Sequence, residues 1–310
     1  MINLNEIHHG DCLQVLKTLA DNSVDLIATD PPYFRVKGEA WDNQWASAAA
    51  FLDWIDALCV EWRRVLKPNG SLYVFASPQM SHGVEGVIRK HFNVLSNIRW
   101  VKKHGWHQKA KKETLRSYTS PYETVIFAEQ GGGGVCEPIR AYLDSERVRA
   151  NLTMEQVRKM VGCADGSGLP SHWFTRSQWM LPTAEQYAKL QAGFNNQGDY
   201  EYLRRDYEDL RRFFEVTAAD QFNDVWNFST VQPYKGKHVC EKPAALMEHI
   251  IASSSRPGAV VLDCFMGSNA TGKAARKLGR AYIGIELDPH WVEKAEAYRE
   301  SASQTELALA

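Results

Sequence analysis

No stretch of this 310-residue chain approaches the ~18 consecutive apolar residues of a membrane span, so a membrane-embedded protein is not expected. Met1 to Gly10 lacks a basic segment followed by an apolar one, so no secretory signal is read there. None of the six cysteines stands in Cys-x-x-Cys, and no His/Cys cluster has zinc spacing, so no metal is expected. Scattered cysteines without a signal suggest free thiols and a cytoplasmic location. Gly-x-Gly-x-x-Gly and the phosphate-cradling Gly-x4-Gly-Lys-Ser/Thr are both missing, which argues against a dinucleotide fingerprint and a nucleoside-triphosphate loop. An excess of one charge is missing too. Lys and Arg total 36, Asp and Glu 37, a net charge of -1. That excludes a uniformly basic or acidic coat and leaves a local patch open.

Aromatics are plentiful: ten Trp, twelve Tyr and twelve Phe, enough for a large core or for stacking on planar ligands. Two regions alternate strand and helix. In the first, Val24–Thr29 reads as a strand, and Ala48 to Leu66 as a helix with Phe51, Ile55, Leu58, Trp62 and Leu66 on one stripe. Lys67-Pro68-Asn69-Gly70 reads as a turn before a strand over Ser71–Ala76, and Val94–Trp100 and Thr124–Ala128 as further strands. From Glu241 the pattern resumes: helix Ala244–Ser253, strand Ala259–Leu262, helix Thr271–Leu278, strand Ala281–Ile285, helix from Pro289. Such alternation implies an α/β fold, a mostly parallel sheet with helices on both faces. Between the two, Gly131-Gly132-Gly133-Gly134 reads as a linker, followed by a helical insert over about 135–235. Thr153-x-x-Gln156 and Thr183-x-x-Gln186 fit capping boxes. The segment around His172, Trp173 and Arg176 has the outline of a helix-turn-helix reader. Tyr200, Leu203, Tyr207, Leu210 and Phe214 have the spacing of a helical seam, for packing at home or across a dimer. Ser301 to Ala310 is patternless and expected to be disordered.

Two local patterns carry chemistry. Asp30-Pro31-Pro32-Tyr33 follows the Val24–Thr29 strand. In an open α/β sheet, ligands sit beyond the carboxyl ends of strands. Two prolines stiffen the turn and remove two N–H donors. The Asp30 side chain and the Pro31 carbonyl then suit an aromatic ring bearing an amino group, with Tyr33 stacked on it; a rigid turn with a core tyrosine is the plainer alternative. The second pattern is Asp263-Cys264-Phe265-Met266-Gly267-Ser268-Asn269, a strand running into a glycine turn and a helix. Glycine there permits close backbone approach to a nucleotide-type cofactor. Glu286-Leu287 ends the next strand, where a carboxylate suits the two hydroxyls of a ribose, or a helix cap.

Taken together, these residues resemble the β class of S-adenosylmethionine-dependent DNA amino-methyltransferases. Asp30-Pro31-Pro32-Tyr33 comes first, an insert follows, and Asp263-x-Phe265-x-Gly267-Ser268 comes last. His9-Gly10-Asp11-Cys12, Arg64 to Gly70 and Glu241-Lys242-Pro243 fit the same family. The resemblance implies a circularly permuted Rossmann-like methyltransferase fold, with the catalytic domain over 1–130 and 236–300 and a target-recognition region over 131–235. It implies S-adenosylmethionine as cofactor, held by Asp11, Cys12, Asp30, Lys242, Pro243, Asp263, Phe265, Gly267, Ser268, Asn269, Glu286 and Leu287. Catalysis falls to Asp30, Pro31, Pro32 and Tyr33, acting on a base flipped from double-stranded DNA. Asp before Pro-Pro-Tyr favours adenine N6 over cytosine N4. Asn269 departs from the family's usual glycine, and a DNA-binding regulator with a degenerate domain is the rival it suggests. A homodimer is implied, either solitary in epigenetic regulation or paired with a separate restriction endonuclease.

The segment Arg99–Tyr118 carries Arg99, Lys102, Lys103, Lys109, Lys111, Lys112 and Arg116 against the single acid Glu113, a balance of +6. Trp100, Trp106 and Tyr118 interleave with them. Cations with aromatics suit phosphate contact and base stacking. With His172, Trp173 and Arg176, these residues are the expected DNA contacts, Trp100 apart.

Overall fold

The computed structural model describes residues 5–102, 113, 115–130, 137–164, 168–196, 201–216 and 222–309. The expected contacts Lys103, Trp106, Lys109, Lys111 and Lys112 lie outside them. The described chain divides into two compact units, Met1–Glu129 with Phe213–Ala310, and Gln130–Arg212.

The first unit is built on an eight-stranded sheet. Its strands are β1 (Glu6–His9), β2 (Val24–Thr29), β3 (Leu66–Ala76), β4 (Phe92–Val101), β5 (Tyr122–Gln130), β6 (Val225–Trp226), β7 (Val260–Asp263) and β8 (Ala281–Glu286). They lie in the order β1-β8-β7-β2-β3-β5-β4-β6. The first five in that order are parallel, β5 runs antiparallel to β3, and β6 is parallel to β4. The sheet separates two apolar layers, as period-two alternation requires. Ile27, Leu72 and Val74 face one layer with α1 (Cys12–Leu16), α2 (Ala48–Val65) and α3 (Ser81–His91). Leu26, Ala28, Tyr73 and Phe75 face the other, with α9 (Ala244–Ser254), α10 (Ala270–Lys277) and α11 (Pro289–Leu309). Helix α2 buries Phe51, Ile55, Leu58 and Trp62 of the expected stripe, while Leu66, also buried, opens β3 instead; Ser47 caps the helix by accepting from the Ala50 N–H.

Two local expectations are corrected. Lys67–Gly70 is not a turn ahead of the strand but an irregularity within β3: the register with β2 jumps from Val24↔Leu66 to Leu26↔Ser71. The chain folds tightly there, and a Cβ on Gly70 would lie 2.6 Å from Leu66 Cδ1, which only glycine avoids. The tail is not patternless coil; α11 carries on to Leu309.

The second unit contains α4 (Glu137–Arg149), α5 (Met154–Val161), α6 (Leu169–Phe174), α7 (Ala184–Asn195) and α8 (Tyr207–Leu210). Both expected capping boxes form, at Thr153 with Gln156 and at Thr183 with Gln186. Over the described residues 201–214 the expected seam is not a helix, and Tyr200 lies outside them. Only α8 is helical, and Leu203 stands at φ +51. Side chains take the backbone groups that a helix would have paired. The Tyr187 hydroxyl donates to the Leu203 and Arg205 carbonyls at 3.1 and 2.7 Å, and the Glu146 carboxylate accepts the Leu203 N–H at 2.8 Å. The unit closes at Arg212, short of the 235 expected for the insert. From Phe213 the chain joins the first unit, where Phe214 stacks on Phe127 at 5.5 Å and β6 adds to the sheet edge.

Candidate active site

Parallel strands in neighbouring positions put their carboxyl ends on one edge. Gly10 follows β1, Asp30 follows β2, Asp263 ends β7 and Glu286 ends β8. The chain leaves β2 towards β3 and leaves β7 towards β8, in opposite directions along the sheet. That topological switch opens a crevice between them. A cleft of about 1500 Å³ occupies it, wholly within the first unit.

Asp30, Pro31, Pro32 and Tyr33 line one part of the cleft. The Tyr33 hydroxyl donates to Asp30 Oδ1 at 2.5 Å, and Lys242 Nζ donates to Asp30 Oδ2. Lys242 is nearly inaccessible, with its ammonium 4.9 Å from the Phe75 ring centroid and 5.5 Å from that of Tyr33. Glu123, at the start of β5, completes the group. Its Oε2 stands 3.3 Å from the Tyr33 hydroxyl and 3.5 Å from Lys242 Nζ, and its Oε1 accepts from Lys102. Glu123 shares two lysines, and although burial opposes it, they hold its carboxyl below the ordinary range. Asp30 shares only Lys242. Burial pushes its carboxyl up, Lys242 opposes this, and the Glu123 charge adds to it.

The loop after Tyr33 is held from below by Asp42, which is fully buried. Its Oδ1 accepts the Tyr33 N–H at 2.6 Å, and its Oδ2 accepts the Val36 and Lys37 N–H groups at 2.6 and 2.5 Å. Phe34 and Arg35 between them stand at φ +53 and +59, a region that costs non-glycine residues energy.

The glycine turn is tied down by its acids. Asp263 accepts from the Thr29 hydroxyl at 3.1 Å, the Thr271 hydroxyl at 2.6 Å and the Phe265 N–H at 3.1 Å. Burial still pushes the Asp263 carboxyl up to about 6. Glu286 accepts the Gly267 N–H at 2.7 Å through one oxygen and the Asp288 N–H at 2.9 Å through the other. Each oxygen keeps a lone pair for a further donor. Gly267 stands at φ +51, and a Cβ there would come within 3.1 Å of the His238 ring. Asp11 caps α1 by accepting from the Gln14 N–H, beside buried Cys12, whose thiol burial pushes up to about 12.

Of the cofactor residues expected from sequence, Asp11, Cys12, Asp30, Lys242, Asp263 and Phe265 line the cleft, as do Gly267, Ser268, Glu286 and Leu287. Pro243 and Asn269 do not. Pro243 is buried at the N-cap of α9, and Asn269 is buried at the N-cap of α10 with φ +61. Two expectations for nucleic-acid contact change, at Trp173 and Lys102. Trp173 is fully buried in the core of the second unit, so its ring has no free face. Lys102 is bound to Glu123, with its ammonium 4.9 Å from the Trp100 ring centroid. Trp100 is itself core, and its indole N–H donates to the Phe228 carbonyl. Arg116 and Tyr118 are exposed at the cleft, Tyr118 completely, and Arg99 is exposed with its guanidinium 5.3 Å from the Tyr122 ring centroid. In the second unit His172 is half-buried, with Nδ1 3.3 Å from the Ser177 carbonyl, and Arg176 is exposed. Sequence reasoning missed Asp42 and Glu123. Asp42 sits in an aperiodic polar loop that gives no signal. Glu123 had one: an acid opening a strand just after a basic segment.

Among the described residues no group of three His, Cys, Asp or Glu side chains could hold a metal ion, and no helix is long and apolar enough to cross a membrane. The model of a family described as DNA methylase, covering N6 and N4 types, matches residues 24–297. The chain is 29% identical over 295 residues to DNA adenine methyltransferase YhdJ of Escherichia coli (strain K12), covering 93% of this chain and 80% of that one. Among solved structures it resembles the M1.HpyAVI–SAM complex, at 21% identity and a TM-score of 0.53, covering 94% of this chain and 98% of the other. It also resembles the cytosine-N4-specific PvuII DNA methyltransferase, at 16% identity and a TM-score of 0.58, covering 96% and 87%. At those identities the structural likeness shows a shared Rossmann-like α/β fold.

Proposed function

Because the chain belongs to the DNA methylase family, we propose that it transfers a methyl group from S-adenosylmethionine to the N6 amine of adenine in double-stranded DNA. The observation that carries this reading is the shared cleft. Asp30 and Pro31 lie at one strand end, and the glycine turn of Asp263–Ser268 lies at the neighbouring one.

The residues present suit an adenosyl cofactor. Gly267 leaves the room that a Cβ would fill, and Glu286 offers free lone pairs where ribose hydroxyls can donate. When bound, the cofactor would supply an electrophilic methyl on a sulfonium for in-line attack by the amine nitrogen, with S-adenosylhomocysteine as leaving group and the amine proton passing afterwards to Asp30 or to water. The chain's own residues prepare that nitrogen. An exocyclic amine is a poor nucleophile because its lone pair is delocalised into the ring. Asp30 and the Pro31 carbonyl accept the two amine hydrogens, which orients the nitrogen and shifts electron density onto it. Stacking on Tyr33 offsets part of the unstacking cost of a few kcal/mol when the base leaves the duplex. Asp11, Cys12, Lys242, Phe265, Ser268 and Leu287 complete the cofactor side; in the first unit exposed Arg99, Arg116 and Tyr118 contact DNA, and in the second half-buried His172 and exposed Arg176 do. The preference for adenine rests on Asp ahead of Pro-Pro-Tyr and on the adenine-specific relative.

The test is transfer of tritiated methyl to duplex DNA, followed by nucleoside analysis. Label in N6-methyladenine is expected. Label in N4-methylcytosine, or no transfer, would overturn the reading. Asp30→Ala should abolish transfer and leave cofactor binding within a few-fold of wild type; retained activity would remove Asp30 from the role given to it.

A further inference from the structure

The buried group around Asp30 contains more charge than amine recognition needs. Two carboxylates, Asp30 and Glu123, alternate with two ammonium groups, Lys242 and Lys102. Both oxygens of Asp30 are engaged by the chain itself, one by the Tyr33 hydroxyl and one by Lys242. An amine arriving at Asp30 must displace or share with those donors. Each has a second acceptor at hand, and it is the same oxygen. Glu123 Oε2 lies 3.3 Å from the Tyr33 hydroxyl and 3.5 Å from Lys242 Nζ. Its other oxygen is fixed by Lys102, which comes off the end of β4.

We propose that Glu123 is a positioning residue for Asp30, a second acceptor anchored by Lys102 to which Lys242 or the Tyr33 hydroxyl moves when a substrate amine takes its place. A buried ammonium stripped of its carboxylate is costly, and so is a buried hydroxyl without an acceptor. Glu123 lets Asp30 exchange an internal donor for the one amine hydrogen it accepts without leaving that donor unpaired. The exchange also keeps the local charge at zero. This inference rests on the amine-accepting role given to Asp30 above, but it predicts an electrostatic coupling that exists without DNA.

That coupling has a sign. Besides Lys242, Tyr33 and Glu123, Asp30 interacts with Asp263 at the end of β7 and with the Cys240 thiol, while Lys102 acts on it through Glu123. Glu123→Gln removes a neighbouring negative charge and leaves two cations to one carboxylate, so Asp30 should ionise at lower pH. Lys102→Met removes a cation and leaves Lys242 divided between two carboxylates, so Asp30 should ionise at higher pH. Opposite displacements of about one pH unit each are expected. Carbon-13 NMR of side-chain-labelled aspartate reads the Asp30 midpoint in the full-length protein, assigned by its loss in Asp30→Asn. The acidic limb of kcat/KM for methyl transfer should follow the same directions, with Glu123→Asp restoring it towards wild type. Midpoints that stay put, or that move the same way in both variants, would overturn the proposal. If Glu123→Gln does not fold, the upward displacement in Lys102→Met decides alone. A wild type that shows the coupled titration yet transfers no methyl would sink the functional reading and leave the coupling standing.

Discussion

Asp42 is the residue whose removal should separate architecture from chemistry most cleanly. It lies outside the Asp30–Tyr33 motif, yet its carboxylate holds the N–H groups of Tyr33, Val36 and Lys37. A hydrogen bond to a charged acceptor is worth about 1.5–3 kcal/mol net, so the three together supply roughly 5–9 kcal/mol. Against them stand Phe34 and Arg35 in left-handed backbone, at about 1–2 kcal/mol each, or roughly 2–4 kcal/mol. In Asp42→Ala the strain is no longer offset, and the loop relaxes by about that amount. If only the unrelaxed loop presents Tyr33 correctly, kcat should fall about 30- to 1000-fold, at ~1.4 kcal/mol per factor of ten. Cofactor affinity should change little, because the Gly267 turn is held independently by Asp263 and Glu286. Two assays check this: single-turnover methyl transfer, and amide hydrogen exchange of residues 33–37. The amides of Tyr33, Val36 and Lys37 should be protected in wild type and exchange rapidly in the variant. A variant with kcat within about threefold of wild type, or with those amides still protected, would refute the role of the carboxylate.

Asp263 makes a pH prediction. Its folded pKa of about 6 lies above the ordinary carboxylate value, so the stability it contributes is full below about pH 4 and is lost as pH rises through 6. The span is worth roughly 3 kcal/mol, and urea unfolding of wild type against Asp263→Asn should show wild type gaining on the variant from pH 7 down to pH 4; a constant or reversed gap would contradict it. Arg116 is exposed at the cleft, so Arg116→Ala should reduce the slope of log DNA affinity against log salt by about one and weaken all sequences alike. An unchanged slope in a fluorescence-anisotropy titration would remove Arg116 from the phosphate contacts.

The elements that position the site are legible because their causes are local. A run such as Val24–Thr29 favours a strand wherever it lies, Pro31-Pro32 ends it, and Thr153 and Thr183 start helices by bonding three residues ahead. The order of strand, turn and helix around Asp263 and Glu286 is of the same kind. The seam over Tyr200–Phe214 misled because its spacing matched a helix while Tyr187 and Glu146 captured the backbone groups instead. Trp173 misled because an aromatic beside cations reads alike on a surface and in a core.

What the sequence determined by itself is therefore the set of elements and the two motifs at their ends. The tertiary structure alone decided which charges meet. Lys242 reaches Asp30 across 212 residues, and Tyr33 reaches Glu123 across 90, because β2, β3 and β5 are neighbours in the sheet and α9 begins above them. It also decided that Lys102 pairs with Glu123. Backbone preference acts over a few residues, whereas burial and ion pairing depend on which distant segments the sheet order brings within a few ångströms, and only there does a surface cation become part of a site.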